Sequence, residues 1–132
     1  MKKILLILTT ACSLNLMAEI IVIANANVPK MDTKTIAKIF TGKTVIVNNI
    51  SVTPFNFDKQ SIRTSFLQKF LNMTEEEYIA YWTVRQYIGK GVEPQKLSPT
   101  QVMIEHIQNT PGAIGYISSF DFKEGLNIID TK

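Results

Sequence analysis

The apolar positions of this chain switch between two periods, and the switches mark out its elements. Ile20 to Ala24 is an unbroken apolar, β-branched run, the signature of a short strand buried on both faces. Asp32 then precedes Thr33 to Phe40, where Ile36, Ile39 and Phe40 share one helical face, and Gly42 follows where a left-handed C-terminal cap belongs. Thr44 to Val47 reads as a strand, Asn48-Asn49 as a tight turn, and Ile50 to Phe55 as the returning strand, which Pro54 is expected to keep short or at a sheet edge. Ile62, Phe66 and Phe70 recur at four-residue steps, so a helix is predicted from Lys59, capped by Asp58 and ending near Leu71-Asn72.

The second half repeats the grammar. Thr74 and Glu77 form a capping box, and Met73 with Tyr78 has the spacing of a hydrophobic staple. The helix they open carries Tyr78, Tyr81, Trp82, Arg85 and Ile88 on one side and stops at Gly89. Gly89 to Leu97 reads as a loop. Ser98, Pro99 and Gln101 supply a cap, a first-position proline and a box-like pair for a helix through Asn109, with Val102, Met103 and Ile107 facing inward. Pro111-Gly112 turns the chain into a strand at Ala113 to Ile117, and Leu126 to Ile129 is the last strand. Strands alternating with helices predict an α/β sandwich around one mostly buried sheet.

The stretch Phe55 to Phe66, FNFDKQSIRTSF, is the candidate site. It runs from a strand into a helix, and ligands of α/β sheets gather at the carboxyl ends of strands. A helix start also presents unpaired N–H groups with a partial positive charge, to which a small oxyanion can bind. Asn56, Lys59, Gln60 and Ser61 surround that point, although an ordinary capped surface helix has the same polar start.

The N-terminus changes the meaning of the composition. Met-Lys-Lys, the apolar run Ile4 to Leu8 and the exit at Met17-Ala18 predict an export signal covering residues 1–18, cleaved after Ala18, with lipid attachment at Cys12 as the alternative. A single domain over 19–132 remains, 114 of the 132 residues. The full chain carries 14 basic and 11 acidic residues, a net +3; loss of Lys2 and Lys3 leaves 12 against 11, or +1. That balance, with no basic tract, gives nucleic acid no footprint. The one cysteine leaves with the signal, so no disulfide is expected.

Catalytic and metal chemistry lack their parts. His106 is the only histidine and has no metal-ligand spacing around it, so it reads as a surface or boundary residue. Thr41 to Lys43 is half a phosphate-loop signature. Glu75, Glu76 and Glu77 sit in a first helical turn, where negative charge suits the helix dipole. Ser118-Ser119 lacks the glycine elbow of hydrolases. Tyr78, Tyr81 and Trp82 at helical spacing read as core. Neither an enzyme nor a cofactor is expected.

Four segments in order, IFTGK at Ile39 to Lys43, FNFDKQSIRTSF, Tyr81-Trp82 followed by GKGVEP, and TPGAIGYIS at Thr110 to Ser118, resemble the phosphate-binding proteins of bacterial ABC uptake systems. These are type 2 periplasmic binding proteins, and the likeness is to short single-domain members. It implies a three-layer sandwich with a mixed sheet, an address in the periplasm, phosphate or a similar oxyanion as ligand, and an ABC permease or another periplasmic protein as partner. Contact with the membrane would come only through that partner. In the family a segment like R-x-D-x-SGT-x-x-x-F holds the phosphate. Counting back from Phe66, Asn56 takes the arginine position, Asp58 matches the aspartate, and Gln60, Ser61 and Ile62 stand where Ser-Gly-Thr would be. The resemblance therefore implies a ligand set of Asn56, Asp58, Lys59, Gln60, Ser61 and Ile62.

Losing the arginine removes a planar fork that donates two charge-assisted bonds. Truncating a buried charged partner costs about 2 to 5 kcal/mol, so binding is expected to be weak unless Lys59 or Arg63 folds over the site. The alternative is an interaction module with a decayed anion site, docking through Tyr78, Tyr81 and Trp82 or through the Gly89 to Leu97 loop.

Overall fold

The computed structural model describes residues 18–132; the expected export signal, apart from Ala18, and Cys12 fall outside that range. Seven strands and four α-helices follow in the order β1 (Ile20–Ala24), α1 (Thr33–Phe40), β2 (Ile46–Val47), β3 (Ile50–Ser51), β4 (Thr53–Phe57), α2 (Gln60–Phe66), α3 (Glu75–Tyr87), β5 (Gln95–Leu97), α4 (Thr100–Asn109), β6 (Ala113–Ser118) and β7 (Asn127–Thr131). Five strands form one sheet in the order β5-β4-β6-β1-β7, and β2 with β3 makes a separate two-stranded ribbon. β4 runs parallel to β5 and β6, whereas β1 is antiparallel to β6 and β7. The sheet is mixed, and helices cover both faces: α4 on one, and α1, α2 and α3 on the other.

Burial explains the strand sequences. Every residue of β1 and β6 is buried, which is why both read as continuous apolar runs without alternation. On the three-helix face Phe66 stands between Phe40, at 4.7 Å between ring centroids, and Tyr116, stacked at 3.8 Å. Burying one such ring contributes about 1.5 to 3 kcal/mol, and each favourable aromatic pair adds roughly 0.5 to 1.5 kcal/mol. Asp32, which precedes α1, caps it: its carboxylate accepts from the Thr35 hydroxyl at 2.6 Å and the Thr35 amide at 2.8 Å, which lowers its pKa. The Thr74–Glu77 capping box of α3 is also complete.

Several expectations are corrected. Pro54 does not put its strand at an edge: β4 lies between β5 and β6. Pairing to β5 begins only at Phe55, so the missing N–H of Pro54 breaks no bond on that side. Gln95 to Leu97, expected as loop, is the edge strand β5. Ser98 does not cap α4, whose cap position is Pro99 without a side-chain bond. Val102, expected inward, is exposed. The helix that starts as α2 does end at Leu71-Asn72 as expected, its last turn, Leu67–Leu71, being π-helical and closed by Asn72 in the left-handed conformation. No helix among the described residues is long and apolar enough to cross a membrane.

Candidate functional site

Because β4, β5 and β6 are parallel, their carboxyl ends meet at one edge of the sheet. There the chain leaves β4 through Asp58 and Lys59 into α2, leaves β5 through Ser98 and Pro99 into α4, and leaves β6 through Ser118 into a 3₁₀ turn, Ser119–Asp121. Two hollows open on this edge. One, of about 410 Å³, is lined by Lys59, Ser61, Ile62, Ser65, Ser118 and Asp121 among others. The second, of about 360 Å³, shares Lys59, Ile62 and Asp121 with the first and adds Asp58, Ser98 and Thr100.

The six predicted ligand residues divide sharply. Lys59 and Ser61 are exposed and line the larger hollow, with half-buried Ile62 between them. Asp58 lines the smaller one. Gln60 is exposed at the start of α2 and lines neither. Asn56 is somewhere else altogether: it is 0% exposed, and both ends of its amide are occupied. Its Nδ2 donates to the Tyr78 hydroxyl at 3.1 Å, and its Oδ1 accepts from the Tyr116 hydroxyl at 3.1 Å. Its placement as an anion contact is corrected by this geometry, because alternate residues of a strand face opposite ways and Asn56 points into the helical layer.

The asparagine is the centre of a closed polar chain. The Phe57 amide donates to the Tyr116 hydroxyl at 3.0 Å, and the Tyr78 hydroxyl donates onward to the Phe40 carbonyl at 2.8 Å. Each buried group has a partner, which is the condition under which a polar network stabilises a core. Burial pushes the Tyr78 hydroxyl up to about 12, and burial raises Tyr116 further. The proton is held more tightly in the folded chain than in the unfolded one, so stability falls as pH rises above the ordinary tyrosine value near 10. At pH 11 the loss assigned to Tyr78 is of the order of 1 kcal/mol. Urea unfolding at pH 8 and 11 should show this decline, and Tyr78→Phe should lessen it while costing about 1 to 2 kcal/mol at pH 8. An equal pH-dependent decline in both proteins would contradict the assignment to Tyr78.

The loop itself is anchored rather than capped. Asp58 does not cap α2: the cap position is Lys59, with no side-chain bond, and Asp58 instead donates its amide to the Leu97 carbonyl at 2.9 Å. Arg63 does not fold over the site either. It is 9% exposed and turned inward, donating from Nη1 to the Phe57 carbonyl at 3.1 Å and from Nε to Glu75 at 2.6 Å. Burial alone lowers its pKa, but the bond and charge of Glu75 outweigh that and leave it raised. Glu75 thus has a structural partner beyond the helix dipole. His106 is a boundary residue, edge-on to Phe55 at 4.5 Å.

The aromatic cluster also resolves. Tyr78 and Trp82 are buried, so they offer no docking platform. Tyr81 donates to the Thr41 carbonyl at 2.6 Å, and a Cβ at Gly42 would stand 2.7 Å from the Trp82 ring. The Ile39–Lys43 and Tyr81-Trp82 segments are therefore two sides of one contact. Residues overlooked in the sequence are Ser65, Thr100 and Asp121; their signal was position, just beyond parallel strand ends or one turn into α2.

No protein-family model and no curated protein sequence matches the chain. Solved structures do. A phosphate ABC transporter substrate-binding protein of Clostridium perfringens, solved with bound phosphate, is 20% identical with a TM-score of 0.63, over 86% of this chain and 45% of that one. PstS of Borrelia burgdorferi is 21% identical with a TM-score of 0.60, over 86% and 47%. An ABC-type phosphate transport receptor of Vibrio cholerae is 12% identical with a TM-score of 0.52, over 86% and 46%. The chain spans about half the length of these proteins, and it shares the fold of the part that it matches.

Proposed function

We propose that the chain is an exported, non-enzymatic binding protein that holds phosphate or a related oxyanion weakly at the carboxyl edge of its sheet, in the periplasm, as part of ABC-type uptake or sensing. The observation that carries this reading is the hollow where Lys59 and Ser61 meet Ser118 at the ends of β4 and β6, on a fold shared with proteins named for phosphate transport. Lys59 supplies the cation, Ser61 a neutral donor, and Asp58 and Gln60 shape the loop. Asn56 contributes through the core and not by contact. A single exposed lysine with hydroxyl donors supports affinity of the order of 1 mM.

Calorimetric titration of the purified chain with phosphate and with sulfate tests it. Phosphate should bind, and Lys59→Ala should weaken it about fivefold, the upper range for one exposed charge pair. Absence of heat with both anions sinks the anion reading. A second reading then gains from the exposed apolar residues Val84, Tyr87 and Ile88 at the end of α3 and Val92 in the loop after it, with Tyr87 91% exposed, as a surface for a permease or another periplasmic protein.

A further inference from the structure

We infer that the hollow takes a small zwitterion, with a phosphoryl or phosphonyl group at one end and an ammonium at the other, in preference to an inorganic oxyanion. This rests on the anion-binding reading above and specifies its ligand class. Size is the first ground. At about 30 Å³ of liquid per water, the larger hollow of about 410 Å³ has room for many more atoms than the five of a tetrahedral oxyanion. It lies within the range of small-molecule sites, about 300 to 1,000 Å³.

Charge is the second ground. Lys59 and Asp121 line the same two hollows, yet they do not bind each other: both ion pairs among the described residues are made by Arg63. Asp121 is oriented by the Thr100 hydroxyl, which donates to Oδ2 at 3.1 Å, and Asp58 adds a second carboxylate to the smaller hollow. Inorganic phosphate placed in the larger hollow meets one ammonium, Lys59, and one carboxylate, Asp121, and the carboxylate repels it. A zwitterion satisfies both signs, its phosphoryl group on Lys59 and Ser61 and its ammonium on Asp121.

Phe120 is the third ground. It lines the larger hollow next to Asp121 and is 74% exposed, an unusual position for a phenyl ring. Its amide donates to the Ser118 hydroxyl at 3.3 Å, which ties the turn to the end of β6. An aromatic ring beside a carboxylate is the pairing that receives an organic ammonium.

The test is a calorimetric titration of the full chain with O-phosphoethanolamine, with ethyl phosphate, which keeps the phosphoryl group and lacks the ammonium, and with inorganic phosphate. O-Phosphoethanolamine should bind about fivefold tighter than ethyl phosphate, a ratio typical of one exposed charge pair. Asp121→Asn retains an acceptor for Thr100 and should erase that preference, with ethyl phosphate bound up to about fivefold tighter once the carboxylate no longer repels it. Equal affinities for the two organophosphates, or a preference that survives Asp121→Asn, overturn the zwitterion while phosphate binding stands. No binding by any of the three removes the anion reading and this inference together.

Discussion

Gly112→Ala is expected to destabilise the chain by about 3 to 5 kcal/mol, enough to leave a domain of this size poorly folded. Two costs combine. Gly112 has φ +79°, a left-handed conformation that strains any residue with a side chain. A Cβ built there would also lie 2.1 Å from the carbonyl oxygen of Ser51, a backbone atom with no rotamer to escape into. Nor can the turn relax freely, because Gly112 is stitched on both sides. Its amide donates to Asn27 Oδ1 at 2.9 Å, and its carbonyl accepts from Thr53 at 2.9 Å where β4 begins its pairing with β6. Gly125 is the internal control: φ is +87° and nothing lies within 4 Å of its Cβ position, so Gly125→Ala carries conformational strain alone, about 1 kcal/mol. Urea midpoints for the two variants measure the difference. Similar midpoints would mean that the Ser51 contact costs nothing.

The contrast between Gly112 and Asn56 shows what the sequence revealed and what it withheld. Pro111-Gly112 before an apolar run announced a turn into a strand, because φ preference and hydrophobic runs are local properties. The same locality recovered β1, α1, the α3 capping box and β6 with small errors at the ends. Gly89 to Leu97 misled because β5 has no apolar pattern of its own: Gln95 and Lys96 are exposed at the sheet edge, and pairing with β4 makes them a strand. Asn56 misled for a related reason. A polar residue just ahead of a helix start looks available to a ligand, and only the positions of Tyr78 and Tyr116, 22 and 60 residues away, turn its amide into core. The location of the candidate site was legible because strand ends and helix starts are local. Its composition was not, since Ser118 and Asp121 reach it through the parallel pairing of β4 and β6.

That pairing leaves one charged side chain responsible for the shape of the loop. Arg63 joins the last carbonyl of β4 to the first turn of α3, and Glu75 compensates it with side-chain exposure of 11% for the arginine and 21% for the glutamate. Neither ion is well solvated, so removing one strands the other. Glu75→Leu is expected to cost about 3 kcal/mol, most of it from a buried arginine left with only the exposed Asp58 carboxylate, 4.0 Å away. The double variant Arg63→Met, Glu75→Leu should recover most of that loss, because a buried pair exchanged for apolar side chains of similar volume is often neutral in stability. Recovery of stability need not restore the site. The Phe57 carbonyl would lose its guanidinium partner, and the adjacent Asp58–Ser61 loop would keep only backbone bonds, the Asp58 amide on Leu97 and the Ile62 and Arg63 amides on the Lys59 carbonyl. Thermal unfolding reads the first effect, and titration with phosphate reads the second, where the stable double variant is expected to bind at least twofold more weakly. A double variant as unstable as Glu75→Leu would show that the loss does not come from an Arg63 left unpaired. One that binds phosphate as well as the parent would show that the Arg63 bond to Phe57 does not shape the loop.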